Sequence, residues 1–236
     1  MTLQELLGRF RGEVSDEDQP HLWSDAEILA YAIDAQDRMV RATGGIADVT
    51  VAAADVGSPV TRLQDLALTA SDPYSTISPY VLRIRSARLL TVARDVVIAQ
   101  EADMPAATQQ DYGWAQGMHF DDTDTGVVTH GVLGVREDKV RWVRVPDAAD
   151  TCRMHVYRLP FPRIAGQGDA LEVREEHHVS LILWMKHRAY SKQDAEARDD
   201  RQAKDNEVAF VRYCETARQE QERRKYRPRV VQYGGL

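Results

Sequence analysis

The sequence predicts an α+β fold that is mainly helical. In it a bundle of N-terminal and C-terminal helices carries a β-rich insertion and an extended C-terminal arm. Three observations predict this. Apolar residues recur at helical spacing before residue 45 and again after residue 172. Between about 80 and 160 the pattern turns to period two, rich in β-branched residues and stopped by glycine and proline. From Arg223 the chain is basic and has little to pack against locally. The expected layout is one body over 1–222, with helices at 22–43 and 172–222, and an arm over 223–236.

The elements follow in order. Leu3, Leu6, Leu7 and Phe10 mark a short amphipathic helix. "GEVSDEDQP" separates it from the clearest element, "LWSDAEILAYAIDAQDRMVRATGG", residues 22–45. There Ser24 is a good N-cap and Glu27 sits at the capping-box spacing. Leu22 and Ile28 form a hydrophobic staple. Ile28, Tyr31, Ala32, Ala35 and Met39 make one apolar stripe, and Gly44-Gly45 ends the helix.

The middle reads as strands. "YVLRIRSARLL", "RDVVIA", "GVVTHGVLGV", "KVRWVRVP" and "CRMHVYRLP" alternate and stop at turn residues. In "KVRWVRVP" one face carries Val140, Trp142 and Arg144, the other Arg141, Val143 and Val145. "MPAATQQDYGWAQG" between strands is a short helix or loop. The expected result is a small antiparallel sheet or sandwich.

Helix returns in "LEVREEHHVSLILWMKHRAYSK", which is apolar nearly all round for two turns and therefore packed on several sides. "DAEARDDRQAKDNEVAFVRYCETARQEQERRK" is far more polar. It keeps a narrow seam of Ala203, Phe210, Cys214 and Ala217, with Val211 beside it. Such a helix needs a neighbour, in the same chain or in an adjacent subunit.

Composition excludes several classes. Hydrophobic content of 43% with 28% charged residues is that of a folded chain, not a disordered one. Two cysteines, Cys152 and Cys214, exclude a disulfide scaffold and fit a reducing compartment. No apolar run approaches the ~20 residues that cross a bilayer, so no membrane role is expected. The first residues have no basic start and no apolar stretch of a signal peptide. A soluble product made inside the cell is expected. The formal net charge of −7 opposes general nucleic-acid affinity.

No catalytic residue, metal ligand or cofactor motif emerges. His177 and His178 are adjacent, so on a helix they point roughly 100° apart and do not form an i,i+4 metal pair; they read as polar helix-face histidines. "DDTDTGVVTHGVL" fails as a calcium loop, because Gly126 and Leu133 fall where ligands are needed. "GVLG" and "GQGDA" extend to no nucleotide fingerprint. Cys152 and Cys214 read as small core residues. Glu175-Glu176 and Asp199-Asp200 lie in solvated stretches and mark no acid/base couple.

The order of elements resembles the head-to-tail adaptor (connector, or head-completion) proteins of tailed bacteriophages. The features are an early helix after "LWSD", a variable β-rich middle ending in "RMHVYRLP", and the late pair. In that pair acidic residues and histidine open a buried helix, a "YSK" junction follows and an Ala…Phe seam closes. The resemblance covers residues 1–45 and 150–220. It implies a non-enzymatic virion protein at the head–tail junction, assembled in the host cytoplasm as a homo-oligomeric ring of twelve copies. The ring sits below the portal protein, extends the DNA channel and offers a platform to a downstream tail or nozzle protein. Genomic DNA passes through it during ejection without sequence-specific binding. In the short-tailed-phage branch the C-terminal segment is an extended arm lying against the portal, and this carries over to Arg223–Leu236 alone.

The residues of that arm suit the role. Pro228 biases Arg227 to extended geometry. Val230, Val231 and Tyr233, with Gln232 between them, are a strand-forming run able to add to a sheet edge. Arg223, Arg224, Lys225, Arg227 and Arg229 complement an acidic partner surface, with Tyr226 between the basic residues. The alternative reading is a nucleic-acid-binding accessory protein using the same basic tail, for which Tyr226 and Tyr233 offer only one aromatic pair.

Overall fold

The computed structural model describes residues 1–48, 65–101, 120, 122–161, 163–193 and 198–225. The segment "MPAATQQDYGWAQG" lies outside them. The chain divides into two compact units: Met1–Ile46 with Leu159–Leu236, and Ala47–Arg158.

Among the described residues the first unit holds four α-helices: α1 (Leu3–Glu13), α2 (Asp25–Thr43), α3 (His178–Tyr190) and α4 (Asp200–Lys225). α1 buries Leu3, Leu6, Leu7 and Phe10, and a Thr2/Glu5 capping box starts it. The link to α2 is not a plain spacer. The buried Asp16 carboxylate accepts the Leu22 amide at 2.6 Å and pairs with Arg11 at 2.5 Å. The buried side chain ahead of the α2 cap is Trp23, not Leu22; its ring meets Phe10 at 6.1 Å and Tyr190 at 6.2 Å, both edge-on.

α3 is the central helix and packs against α1, α2 and α4. Leu181, Ile182, Trp184, Met185 and Ala189 are buried on it, so an element apolar on several sides finds a partner on each. Trp184 shows how: its ring centroid lies 5.2 Å from that of Phe210 on α4, and its Nε1 donates to Asp34 on α2 at 2.8 Å.

The second unit is built on one large mixed sheet. Its strands are β1 (Ile46–Asp48), β2 (Asp65–Leu68), β3 (Tyr74–Thr76), β4 (Val81–Leu89), β5 (Asp95–Gln100), β7 (His130–Arg136), β8 (Lys139–Trp142) and β10 (Asp150–Arg158). The order is β1-β10-β4-β5-β7-β8-β3, with β2 also pairing with β10. Two short strands, β6 (Thr125–Gly126) and β9 (Val145–Pro146), pair separately. β10 is antiparallel to β2 and β4, while β5 and β7 run parallel.

The expectation of a mainly helical chain is therefore corrected. Helix makes up 39% and strand 27% of a protein with an eight-stranded mixed sheet. The physical reason is pairing at a distance. β2 is only "DLAL", too short to declare itself, and it becomes a strand because Leu66 and Leu68 are buried opposite β10. The parallel β5–β7 pair also makes the sheet mixed instead of antiparallel.

The core under this sheet centres on Val140, Trp142, Cys152, Met154 and Leu89. Gly131 faces Trp142 across β7–β8, and a Cβ there would come within 2.7 Å of Val140 Cγ1 and 2.8 Å of Trp142 Cζ3. Only glycine lets the indole lie this close to the β7 backbone. Arg141, expected on the face opposite Trp142, is buried as well. Its guanidinium donates to the Trp142 carbonyl at 2.8 Å, pairs with Asp122, and stacks between Tyr74 and Phe120.

Candidate functional site

The C-terminal end of α4, from which the expected arm would leave, is the candidate site. α4 begins with the Asp199 carboxylate accepting the Arg201 and Gln202 amides at 3.1 and 3.0 Å. Its long polar sequence stays attached because Ala203, Phe210, Cys214 and Ala217 are 5%, 1%, 3% and 4% exposed within the chain itself. These four were expected as a subunit seam. The chain's own fold buries all four. Burial raises the thiols of Cys152 and Cys214 to about 12 and about 11, far from nucleophilic character.

Arg223 and Arg224 lie in the last turn of α4, which ends at Lys225. Arg224 Nη1 stands 3.8 Å from Glu176 Oε1. Glu176 also faces Arg174 at 3.7 Å and His177 Nε2 at 3.6 Å. Further back along the helix, Tyr213 OH meets His177 Nδ1 at 2.9 Å and donates to the Glu176 carbonyl at 3.3 Å. The 3₁₀ turn at Glu175–His177 thus clasps the end of α4. The same turn holds the other terminus, since Glu175 pairs with the Met1 amino group. The remaining expected arm residues, Tyr226, Arg227, Pro228, Arg229, Val230, Val231, Gln232 and Tyr233, lie outside the described residues.

His177 and His178, expected as polar helix-face histidines, are both buried. Each is 6% exposed. His178 places Nδ1 2.9 Å from the Met1 carbonyl and Nε2 2.8 Å from that of Val173. Among the described residues no group of three or more His, Cys, Asp or Glu gathers to hold a metal ion. The acidic turn that resembles a calcium loop supplies arginine partners instead, Asp122 to Arg141 and Asp124 to Arg144. No helix among the described residues is long and apolar enough to cross a membrane.

At the other cap, Ser24 Oγ accepts the Glu27 amide at 3.3 Å and Glu27 accepts the Ser24 amide at 2.9 Å. A hydrogen bond from Lys192, with those from Ser24, holds the Glu27 carboxyl down at about 2. Sequence reasoning missed Asp16, Tyr213 and Glu176. Tyr213 and Glu176 act through partners 36 to 48 residues apart, and Asp16 through Arg11 and Leu22, five and six residues away, in pairs that no motif marks.

A family model described as SU10 adaptor protein matches residues 1–232. The chain belongs to the SU10 adaptor protein family. The match takes in both units and reaches past the end of α4. No match to a curated protein was found. The family is a structural one of bacteriophages, and its place is the virion's head–tail junction, between portal and tail proteins.

In this SU10 adaptor the turn at Glu175–His177 is expected to be pH-sensitive. Burial holds His177 below the usual histidine range, with nearby Glu176 opposing the shift. The folded state thus favours neutral His177. Its stabilisation is complete above the unfolded pKa of ~6.5 and is lost as pH falls through that value towards the folded one. Urea unfolding at pH 8 and pH 5.5 is expected to show a lower midpoint at the acidic pH. His177→Gln is expected to reduce that pH dependence. Equal pH dependence in both proteins would remove His177 as a contributor.

Proposed function

We propose that this adaptor forms a ring that docks under the portal through Arg223–Tyr233, extends the DNA channel and presents a platform to the next tail or nozzle protein. The reading includes assembly in the host cytoplasm, a ring of twelve copies and a short-tailed particle. Chemistry is no part of the role. One observation carries it: the family match runs from residue 1 to 232 and so takes in the body and nearly all of the arm. The helical unit supports it physically, because the clasp at Glu176 fixes the point from which the arm leaves. Copies around a ring add their weak contacts into firm attachment.

The alternative, nucleic-acid binding through the same tail, makes an opposite prediction. If all five basic residues met phosphates, log K would fall with log salt at a slope of about −4.5. The free adaptor is expected to bind a DNA duplex weakly and with a shallow slope, as the chain's net charge of −7 requires. Fluorescence anisotropy across a salt series checks this. Tight binding with the steep slope would overturn the adaptor reading in favour of the alternative.

A further inference from the structure

We infer that the outer face of β4 and β10, the face turned away from the sheet core, meets the phosphate backbone of duplex DNA. The inference rests on the ring reading above, in which DNA passes through a channel. Strand register defines the face. Cys152, Met154 and Val156 pair with Leu89, Ala87 and Ile84, and all six lie in or against the core. The alternate pairs, Arg153 with Arg88, His155 with Ser86 and Tyr157 with Arg83, therefore point outwards. A register shift between His155 and Val156 leaves Arg85 as the extra residue of a bulge. Arg83, Arg85, Ser86, Arg88 and His155 are exposed.

The sheet neutralises part of this charge itself. Arg153 and Arg88 lie directly opposite each other, a repulsive pairing. Each has its own carboxylate on the flanking strand. Asp65 on β2 accepts two hydrogen bonds from Arg153, at 2.8 and 3.0 Å, and Asp95 on β5 pairs with Arg88 at 3.0 Å. Arg83 and Arg85 receive no such partner: among the described residues neither has a carboxylate within ion-pair distance. The Arg83 guanidinium lies 4.5 Å from the centroid of the Tyr157 ring, which holds the planar cation in place and keeps its hydrogen-bonding edge for a further acceptor. A chain of net charge −7 thus keeps two uncompensated guanidiniums on one exposed strand. They are two residues apart, about 7 Å along β4. One DNA strand carries a phosphate every ~3.4 Å of helix axis, so both arginines can meet phosphates of one strand at once. Ser86 and His155 beside them add polar partners for phosphate but offer a protein no apolar centre. Leu82 and Val97, exposed on β4 and β5, are single apolar side chains of the kind any surface carries. In a ring the same pair recurs in every copy, so contacts too weak to hold DNA singly line its path.

The test is photo-cross-linking in the full-length adaptor assembled on portal, with a benzophenone maleimide on Ser86→Cys and a fluorescent DNA duplex. The parent, whose Cys152 and Cys214 are buried, sets the background. S86C is expected to cross-link the duplex well above background, and R83E/R85E added to it to lower the yield roughly tenfold. R85E alone, at a residue with no ion pair among those described, is expected to lower it about threefold. Circular dichroism confirms that each variant is folded. In the unlabelled complex R83Q/R85Q is expected to flatten the slope of log K against log salt by at least about 1.8, the equivalent of two phosphates. Rings that form without the cross-link, or with one that R83E/R85E leaves unchanged, would overturn this face and leave the ring reading standing. If no ring forms, the ring reading falls and the free adaptor decides the face: duplex cross-links from S86C that R83E/R85E weakens support it, and their absence overturns it. Cross-links from S86C to portal or to a second copy, and not to DNA, would overturn the inference and assign the face to protein.

Discussion

An adaptor ending at Lys225 is expected to keep its fold and lose the portal. Deleting Tyr226–Leu236 leaves in place the described contacts that anchor α4. α4 is anchored upstream by Phe210, Cys214 and Ala217, and Arg224 keeps its place beside Glu176. The deletion does remove the strand-forming run Val230–Tyr233, the Pro228 that pre-extends it, and two of the five basic residues, Arg227 and Arg229. Avidity makes the loss large. Linked weak contacts exceed a single one by about 10²–10⁴ in affinity, so removing every arm is expected to cut portal binding at least about a hundredfold. Co-sedimentation with purified portal rings measures this, and the thermal unfolding midpoint is expected to stay within a few degrees of the parent. R227E/R229E is expected to fall between parent and deletion. Equal decoration of portal rings by the truncated and intact proteins would remove the arm from the account.

Trp142→Ala is the second large effect. Trp142 is fully buried in the sheet core, and its Nε1 donates to Ser75 Oγ at 3.0 Å, tying β8 to β3. Ser75 Oγ in turn donates to the Ala67 carbonyl on β2 at 2.7 Å. Truncation opens a cavity beside Gly131, which has no side chain to collapse into it. It also leaves the Ser75 hydroxyl short of one donor. The expected cost is about 3–5 kcal/mol, a fall in Tm of roughly 10 °C. Trp142→Phe is expected to cost less, since the ring stays and only the indole donor goes. A Tm within 2 °C or so of the parent for Trp142→Ala would show that this indole does not centre the core.

The helical unit was the more legible half, because its signals are local. Ser24 and Glu27 announce the start of α2 within four residues, and Gly44, at φ 89°, announces its end. The all-round apolar surface of α3 marks a central helix before any neighbour is known. The sheet was legible strand by strand but not as a whole. β4, β7, β8 and β10 alternate visibly, yet nothing local in Val97–Gln100 says that it pairs parallel to His130–Leu133. β2 exists only through β10. That is why the chain read as mainly helical and is not. The candidate site shows the same division. The character of the arm is written in consecutive residues, whereas the Glu176–Arg224–Tyr213 clasp joins positions about forty apart. The burial of His177 and His178 was not legible either, because it comes from contacts with Tyr213 on α4 and with the N-terminus.

The central claim is that this SU10 adaptor is a ring below the portal. Electron microscopy of the full-length protein mixed with purified portal tests it most directly. The account predicts a closed ring of added density on one face of the portal, coaxial with its channel and holding a fixed number of copies. Portal rings that stay bare at saturating adaptor, or carry scattered single copies with no ring, would contradict it.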